Sequence, residues 1–310
     1  MGLRTLVVLA LASSVACKDK EPPKQNPLPA PSASPSASVA PSASAPAEPT
    51  NPYTADRIES VLNPTKLPTY TGPTGSIEGT ISVRGPASPR VTRDYKRCPD
   101  GESIYAPAFR EGPPIGPHRA LGDAIVAITG YEKFVPPKDD HVKIAFDGCG
   151  YTTRTALLTF GQRLEVLNKS TRQMIAPDIE GTPMVALMLV APHSTSSAKL
   201  YPPRPGRFRL IDRGVLGYIS VDVYVMMQPL HAVSSTDGRF RIDGVPLGKV
   251  TVNAAHPAFS GDAESTVDVQ PNVVHKVDLV LTYAGEGDAG APSADSGPLK
   301  PAPRPGSKIH

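Results

Sequence analysis

Tryptophan is absent from the 310 residues, aromatic residues make up only 5% of them, and there are three cysteines. Neither sign of charge dominates: 32 Lys and Arg stand against 29 Asp and Glu, a net charge of +3. That balance gives no electrostatic footprint for nucleic acid, which needs a concentrated basic face. No stretch holds eighteen consecutive apolar residues, so the sequence carries no candidate membrane-spanning helix. Signatures of familiar chemistry are missing as well. There is no Gly-x-Ser-x-Gly elbow, no P-loop and no His-Glu-x-x-His.

Proline is what the sequence has in excess: 37 residues, of which 13 fall in 18–73 and 5 in 284–310. Proline lacks a backbone donor and clashes in helix interiors, so this density excludes an all-helical domain and argues against a doubly wound α/β enzyme. The two flanks also lack large apolar side chains, so no core could offset their ordering entropy. Residues 17–73 are therefore expected to form a disordered Pro/Ala/Ser tether, stiffened towards polyproline II. Within it, Thr54 to Leu62 reads as one short helix. Residues 284–310 are expected to be a second disordered tail.

At the N-terminus, Met1-Gly-Leu-Arg4 is a short cationic start, and Thr5 to Ala16 is apolar or small throughout. Such a run is too short to span a bilayer and reads as a signal-peptide core over 1–16. Ser14-Val15-Ala16-Cys17 resembles a bacterial lipobox, with Ser14 where that motif usually carries Leu. The resemblance implies cleavage before Cys17 and lipidation of its thiol, anchoring the chain to a membrane. The alternative is ordinary cleavage near Ala16, with Cys17 a free exported thiol. Lys18 stands where some inner-membrane lipoproteins carry a retention Asp, which points to the outer membrane. Export also places Cys98 and Cys149 in an oxidising compartment, where they are expected to pair as a disulfide.

Strand signals fill 75–283. Ser76 to Val83, His141 to Phe146 and Arg239 to Ile242 alternate apolar and polar residues. Ala124 to Ile128, Thr155 to Phe160, Arg163 to Leu167, Met184 to Val190, Arg207 to Ile211, Tyr218 to Val225, Lys249 to Ala254, Ser265 to Val269 and Val273 to Leu281 complete the set. Gly, Pro, Asn and Asp punctuate them at short intervals, the pattern of an all-β sandwich fold. Residues 86–120 hold seven prolines and read as an irregular excursion.

Two family resemblances arise from these residues. Gly75-Ser-Ile-Glu-Gly-Thr-Ile-Ser-Val83 resembles the opening strand of a carboxypeptidase regulatory-like domain, a transthyretin-like sandwich. Ser235-Thr-Asp-Gly-Arg-Phe-Arg-Ile-Asp-Gly-Val-Pro-Leu-Gly-Lys-Val-Thr-Val252 resembles the later half of the same domain. Between them, Leu157-Leu-Thr-Phe-Gly-Gln-Arg-Leu-Glu-Val-Leu-Asn168 is similar to a cupredoxin segment. These resemblances imply a regulatory-like sandwich split into 74–135 and 228–283, with a cupredoxin-like Greek-key domain inserted at 138–227. The junction Gln228-Pro-Leu-His-Ala-Val-Ser234 is similar to that of exported proteins combining the two.

A cupredoxin holds copper with two His, one Cys and often a Met. The matching stretches here, Lys169 to Ile175 and Arg209 to Val215, contain no His or Cys, and their one Met is Met174. No metal or other cofactor is therefore expected, and Met174, Met226 and Met227 read as core or edge residues. Asp139-Asp140-His141 reads as a solvated turn, His193 as an exposed loop residue and His256 as a packing or turn residue. Tyr95, Tyr105 and Tyr201 are weak candidates for ligand contact, set against simple loop packing. The expectation is a non-catalytic envelope lipoprotein. It would meet the membrane through its lipid and display β-sandwich domains to an envelope protein or glycan. The alternative is a periplasmic copper-binding or electron-transfer protein with an atypical site.

Overall fold

Period-two alternation sets the elements, because successive side chains of a strand face opposite sides and one side must be buried. The structure, a computed structural model, describes residues 50–182, 187–214 and 217–285; Cys17 and the signal segment lie outside them. The first elements are α1 (Ala55–Leu62), β1 (Thr74–Arg84), α2 (Gly101–Tyr105), β2 (Glu111–Ile115), β3 (His118–Leu121) and β4 (Ile125–Thr129). There follow β5 (His141–Asp147), β6 (Gly150–Tyr151), β7 (Thr155–Thr159), β8 (Arg163–Asn168), β9 (Pro177–Ile179), β10 (Ala198–Leu200), β11 (Gly206–Asp212) and β12 (Ser220–Met226). The last are β13 (His231–Val233), β14 (Arg239–Pro246), β15 (Gly248–Ala255), β16 (Asp262–Val269), β17 (Val274–Lys276) and β18 (Leu279–Thr282).

The fold is all-β, and its strands enclose two cores. One sheet has the order β14-β1-β3-β2, with β17 and β18 running parallel to β1, and a second has the order β13-β4-β15-β16. Between them Ile77, Ile81, Leu121, Val126, Ile128, Phe240, Val252 and Leu281 form one buried cluster. A second pair of sheets, β10-β8-β5-β6 and β7-β12-β11-β9, encloses Phe146, Leu158, Phe160, Leu164, Val166, Leu210 and Val221. Every strand of this second pair lies between β4 and β13, and β4 and β13 are themselves paired, with Ala127 opposite His231. Among the described residues no helix is long and apolar enough to cross a membrane.

The structure corrects several sequence expectations. Residues 50–73, assigned to the tether, are folded. Thr54 caps α1 by accepting the Arg57 N–H at 3.3 Å, and Tyr53, Ile58, Val61 and Leu62 pack against the second core. The excursion 86–120 contains the β2–β3 hairpin, turned at Gly116 with φ +57°. Pro113 and Pro114 are tolerated because β2 is the outer strand of its sheet. The apolar run from Met184 lies partly outside the described residues. Where it is described, Leu187 and Leu189 are 52% and 60% exposed, not a buried strand. Met174, expected in the core or at an edge, is 52% exposed.

The strand expected over Val273 to Leu281 is broken into β17 and β18 at Val277 and Asp278. At the break Asp278 Oδ1 accepts from the Thr80 N–H at 2.8 Å and from its hydroxyl at 2.6 Å, so a carboxylate stands in for the ladder. The Val277 carbonyl turns towards β1 and occupies the place where a side chain on Gly79 would start. A Cβ there would lie 1.8 Å from the Val277 oxygen, a backbone atom that cannot swing aside. Gly79→Ala should therefore cost at least about 2 kcal/mol of stability, as overpacking does. Gly261→Ala, whose Cβ meets open space, should change it by less than about 0.5 kcal/mol. Urea unfolding of the two variants checks the difference.

Candidate functional site

Where the two sandwiches meet, a cleft of about 580 Å³ opens between β5, β7 and β13. Its floor is apolar, with Val142, Ile144, Ala156 and Leu157. Its walls carry hydroxyls of Thr153, Thr155, Thr159, Ser234 and Ser235, and Lys138 and Lys143 stand among the residues at its edge. A groove of about 700 Å³ along α1, lined by Ile58, Leu62, Leu67 and Phe134, holds no buried titratable group. The cleft between the sandwiches does.

Asp123 lies beside that cleft, bonded to two residues that line it, Arg110 and Thr153. It occupies the tight link between β3 and β4 with φ +65°, a conformation that Asp tolerates better than most residues. Arg110 grips its carboxylate in a fork, Nε to Oδ2 at 2.5 Å and Nη2 to Oδ1 at 2.6 Å. The Arg154 backbone N–H and the Thr153 hydroxyl donate to Oδ1 from the second sandwich at 2.8 and 3.0 Å. Burial opposes the charge on Asp123, but the Arg110 bonds and the Arg154 amide outweigh it and hold the carboxyl below its ordinary range. Arg154 extends the junction. Its guanidinium donates to the carbonyls of Pro107 at 2.6 Å and Ala108 at 3.3 Å, with the Tyr105 ring 5.9 Å away.

Two histidines border this region. His231, on β13, places Nε2 3.2 Å from the Thr159 hydroxyl across the cleft, and burial pushes its pKa down to about 4. His256 is buried against Phe109 and Phe259. Its Nδ1 accepts the Ala258 N–H at 3.1 Å, so the neutral ring carries its proton on Nε2. Burial pushes its pKa to about 4, although Asp123 pulls the other way.

The residues singled out in the sequence are placed elsewhere. Cys98 and Cys149 form a disulfide with Cα atoms 5.6 Å apart, and both are buried in the second core. Cys17 lies outside the described residues. Tyr105 is buried, its hydroxyl accepting the Tyr151 N–H at 3.0 Å, and Tyr95 packs edge-on against Tyr218 with ring centres 5.0 Å apart. Both serve the core beside the disulfide. Tyr201 is half-buried. Asp140 bonds His141 at 2.7 Å and pairs with Arg163, while His193 is an exposed loop residue with φ +53°. Met226 and Met227 are half-buried at the end of β12. Among the described residues no three His, Cys, Asp or Glu side chains are grouped to hold a metal ion. In the stretches matched to copper ligands, the Gln173 carbonyl accepts from Asn168 at 2.7 Å, and Asp212 accepts the Ala176 N–H at 2.6 Å. Those positions hold loops together.

The residues that shape the cleft escaped the sequence reading. Arg110 and His231, which line it, and Asp123 and Arg154 beside it have no motif spacing in common; Arg110 fell within the 86–120 excursion and His231 within the 228–234 junction, and neither was singled out.

No family model matches the sequence, and no curated protein matches it. Among solved structures, one similar chain comes from a heme-copper terminal oxidase dimer. The alignment covers 29% of this chain and 66% of that one, at 11% identity and a TM-score of 0.24. A likeness of that size carries no argument about fold or function.

The histidines set an acid limit. A histidine whose folded pKa is depressed binds its proton more readily when unfolded, so stability is full above the unfolded value near 6.5 and falls as the pH drops towards 4. For His256 the loss approaches about 3 kcal/mol at pH 4. Unfolding measured between pH 7 and 4 should show this decline, and His256→Gln should flatten its slope by about one proton.

Proposed function

We propose that this chain is a non-catalytic, lipid-anchored protein of the bacterial cell envelope. It displays a regulatory-like sandwich with a cupredoxin-like insert, and the cleft between the two is its binding surface. The observation that carries this reading is the partition of the cysteines. Cys98 and Cys149 are bonded to each other, which fits an oxidising compartment. Cys17 is left as the third, at the end of a short apolar run. A thioether-linked lipid is the chemistry that position suits.

The cleft supports the binding part of the reading. It has an apolar floor, a few convergent polar groups and rigid strands for walls, the usual make-up of a recognition site. Beside it the buried charge is engaged in holding the junction, since Asp123 is saturated by four donors, and within it His231 faces a threonine hydroxyl. The tether would carry the cleft away from the bilayer, and Lys18 favours the outer membrane over the inner.

The anchor is tested directly. Wild-type protein expressed in a diderm host should partition into Triton X-114, and globomycin should accumulate a heavier precursor. Cys17→Ser should stay in the aqueous phase. If the Cys17→Ser protein partitions like wild type, the lipid-anchor reading is wrong.

A further inference from the structure

The phase of three hydrogen-bond ladders decides what the cleft can hold. β5 runs parallel to β8, and two bonds fix which of its peptides face that neighbour: Arg163 N–H to the Asp140 carbonyl and Lys169 N–H to the Phe146 carbonyl. Residues 140, 142, 144 and 146 therefore face β8, while His141, Lys143 and Ala145 face away. Thr152 N–H takes the Ala145 carbonyl at 2.9 Å, so the open edge is His141 to Lys143. On β7 the bonds from Asp222 N–H to the Arg154 carbonyl and from Phe160 N–H to the Met226 carbonyl set the same alternation, which turns the Leu157 peptide away from β12. On β13 Leu230 and Ser234 bond to β4, which leaves His231 and Val233 facing outwards, the His231 N–H being taken by the Pro229 carbonyl at 3.1 Å. All five of these residues line the one cleft.

We propose that the cleft takes an extended polypeptide segment of a partner protein, which adds as a strand along the β5 edge at His141 to Lys143. The proposal rests on the binding reading above and names the class of partner. Peptide N–H and C=O groups are strong hydrogen-bonding groups, and an unpaired edge is a template for another chain. Strand addition draws its affinity from the main chain and its selectivity from pockets for alternate side chains. Here Val142, Ile144 and Leu157 supply an apolar floor for one face of the segment. Lys138, exposed at the rim, favours an acidic residue on the other, while the Lys143 ammonium is paired with Glu165 at 3.9 Å. A five-residue strand spans about 17 Å, and the cleft volume lies within the roughly 300–1,000 Å³ of recognition pockets. The exposed lysine on the edge and the prolines before it discourage indiscriminate pairing between copies.

The probe is fluorescein-labelled Thr-Val-Glu-Val-Thr-Val-amide, titrated by anisotropy against the full chain carrying Cys17→Ser. Two further probes are N-methylated at alternate residues, each removing the donors of one strand edge. Saturable binding is expected, weakened at least tenfold by one of the two methylation patterns. Lys143→Pro removes the outward N–H while the ladder to β8, carried by residues 142 and 144, stays intact. It should weaken binding at least tenfold relative to Lys143→Ala, which loses the same charge but keeps the N–H; thermal melts report whether both fold. No binding up to 1 mM, equal binding of both methylated probes, or an unaffected, folded Lys143→Pro would each overturn the proposal. Detergent partitioning of wild-type protein is read separately, so the anchor and the strand-binding cleft can fail independently.

Discussion

One carboxylate holds the two sandwiches in register. Asp123 receives the Arg110 fork from its own sandwich and the Thr153 hydroxyl and Arg154 amide from the other. A buried charge is costly unless every lone pair is answered, and removing one partner of such a pair typically costs about 3–5 kcal/mol. The site satisfies that condition with donors from two separate segments, one in each sandwich, which can converge only when both sandwiches are folded and docked. Ser234 completes the link. Its hydroxyl donates to the Leu121 carbonyl at 2.7 Å and accepts the Ala124 N–H at 2.9 Å, binding the return of the chain to the β3–β4 link. The walls of the cleft are fixed by these bonds.

The disulfide works on the same boundary from the other side. It ties the excursion after β1 to the β5–β6 turn, beside a cluster in which Tyr218 contacts both Tyr95 and Tyr105. Arg154 reaches the carbonyls just after α2, so hydrogen-bonded and covalent fastenings bracket that helix. With little aromatic residue to spend, the chain concentrates it at this seam and around Phe109, where Phe259, Tyr283 and His256 meet edge-on or tilted.

Strands were legible in the sequence from short apolar or alternating runs between turn residues, although β14 runs four residues past its expected end at Ile242. β1, β5, β8 and β15 stand within two residues of their expected ends. Legibility failed where a strand breaks a local rule for a non-local reason. β2 carries two prolines because its outer edge needs no donors, and the β17–β18 break exists because Gly79, far away in sequence, makes room for a carbonyl. The short helix at Ala55–Leu62 was readable from its pattern, but its docking was not, because the core it covers lies about a hundred residues downstream. The cleft was illegible for a related cause. The outward-facing peptides at 141, 157 and 231 are defined by the phase of hydrogen bonding, which leaves no mark on side-chain identity.

The pairing of β4 with β13 has a kinetic side. Joining them in an unfolded chain closes a loop of about 100 residues, at an entropic cost of about 4 kcal/mol. If β5–β12 collapse first, the loose chain left to close shrinks to the short links on either side, and the cost falls by more than 1 kcal/mol. The insert is then a scaffold for its host. On that route the outer sandwich, whose strands flank the inner ones in sequence, assembles late, once the inner one has brought its halves together.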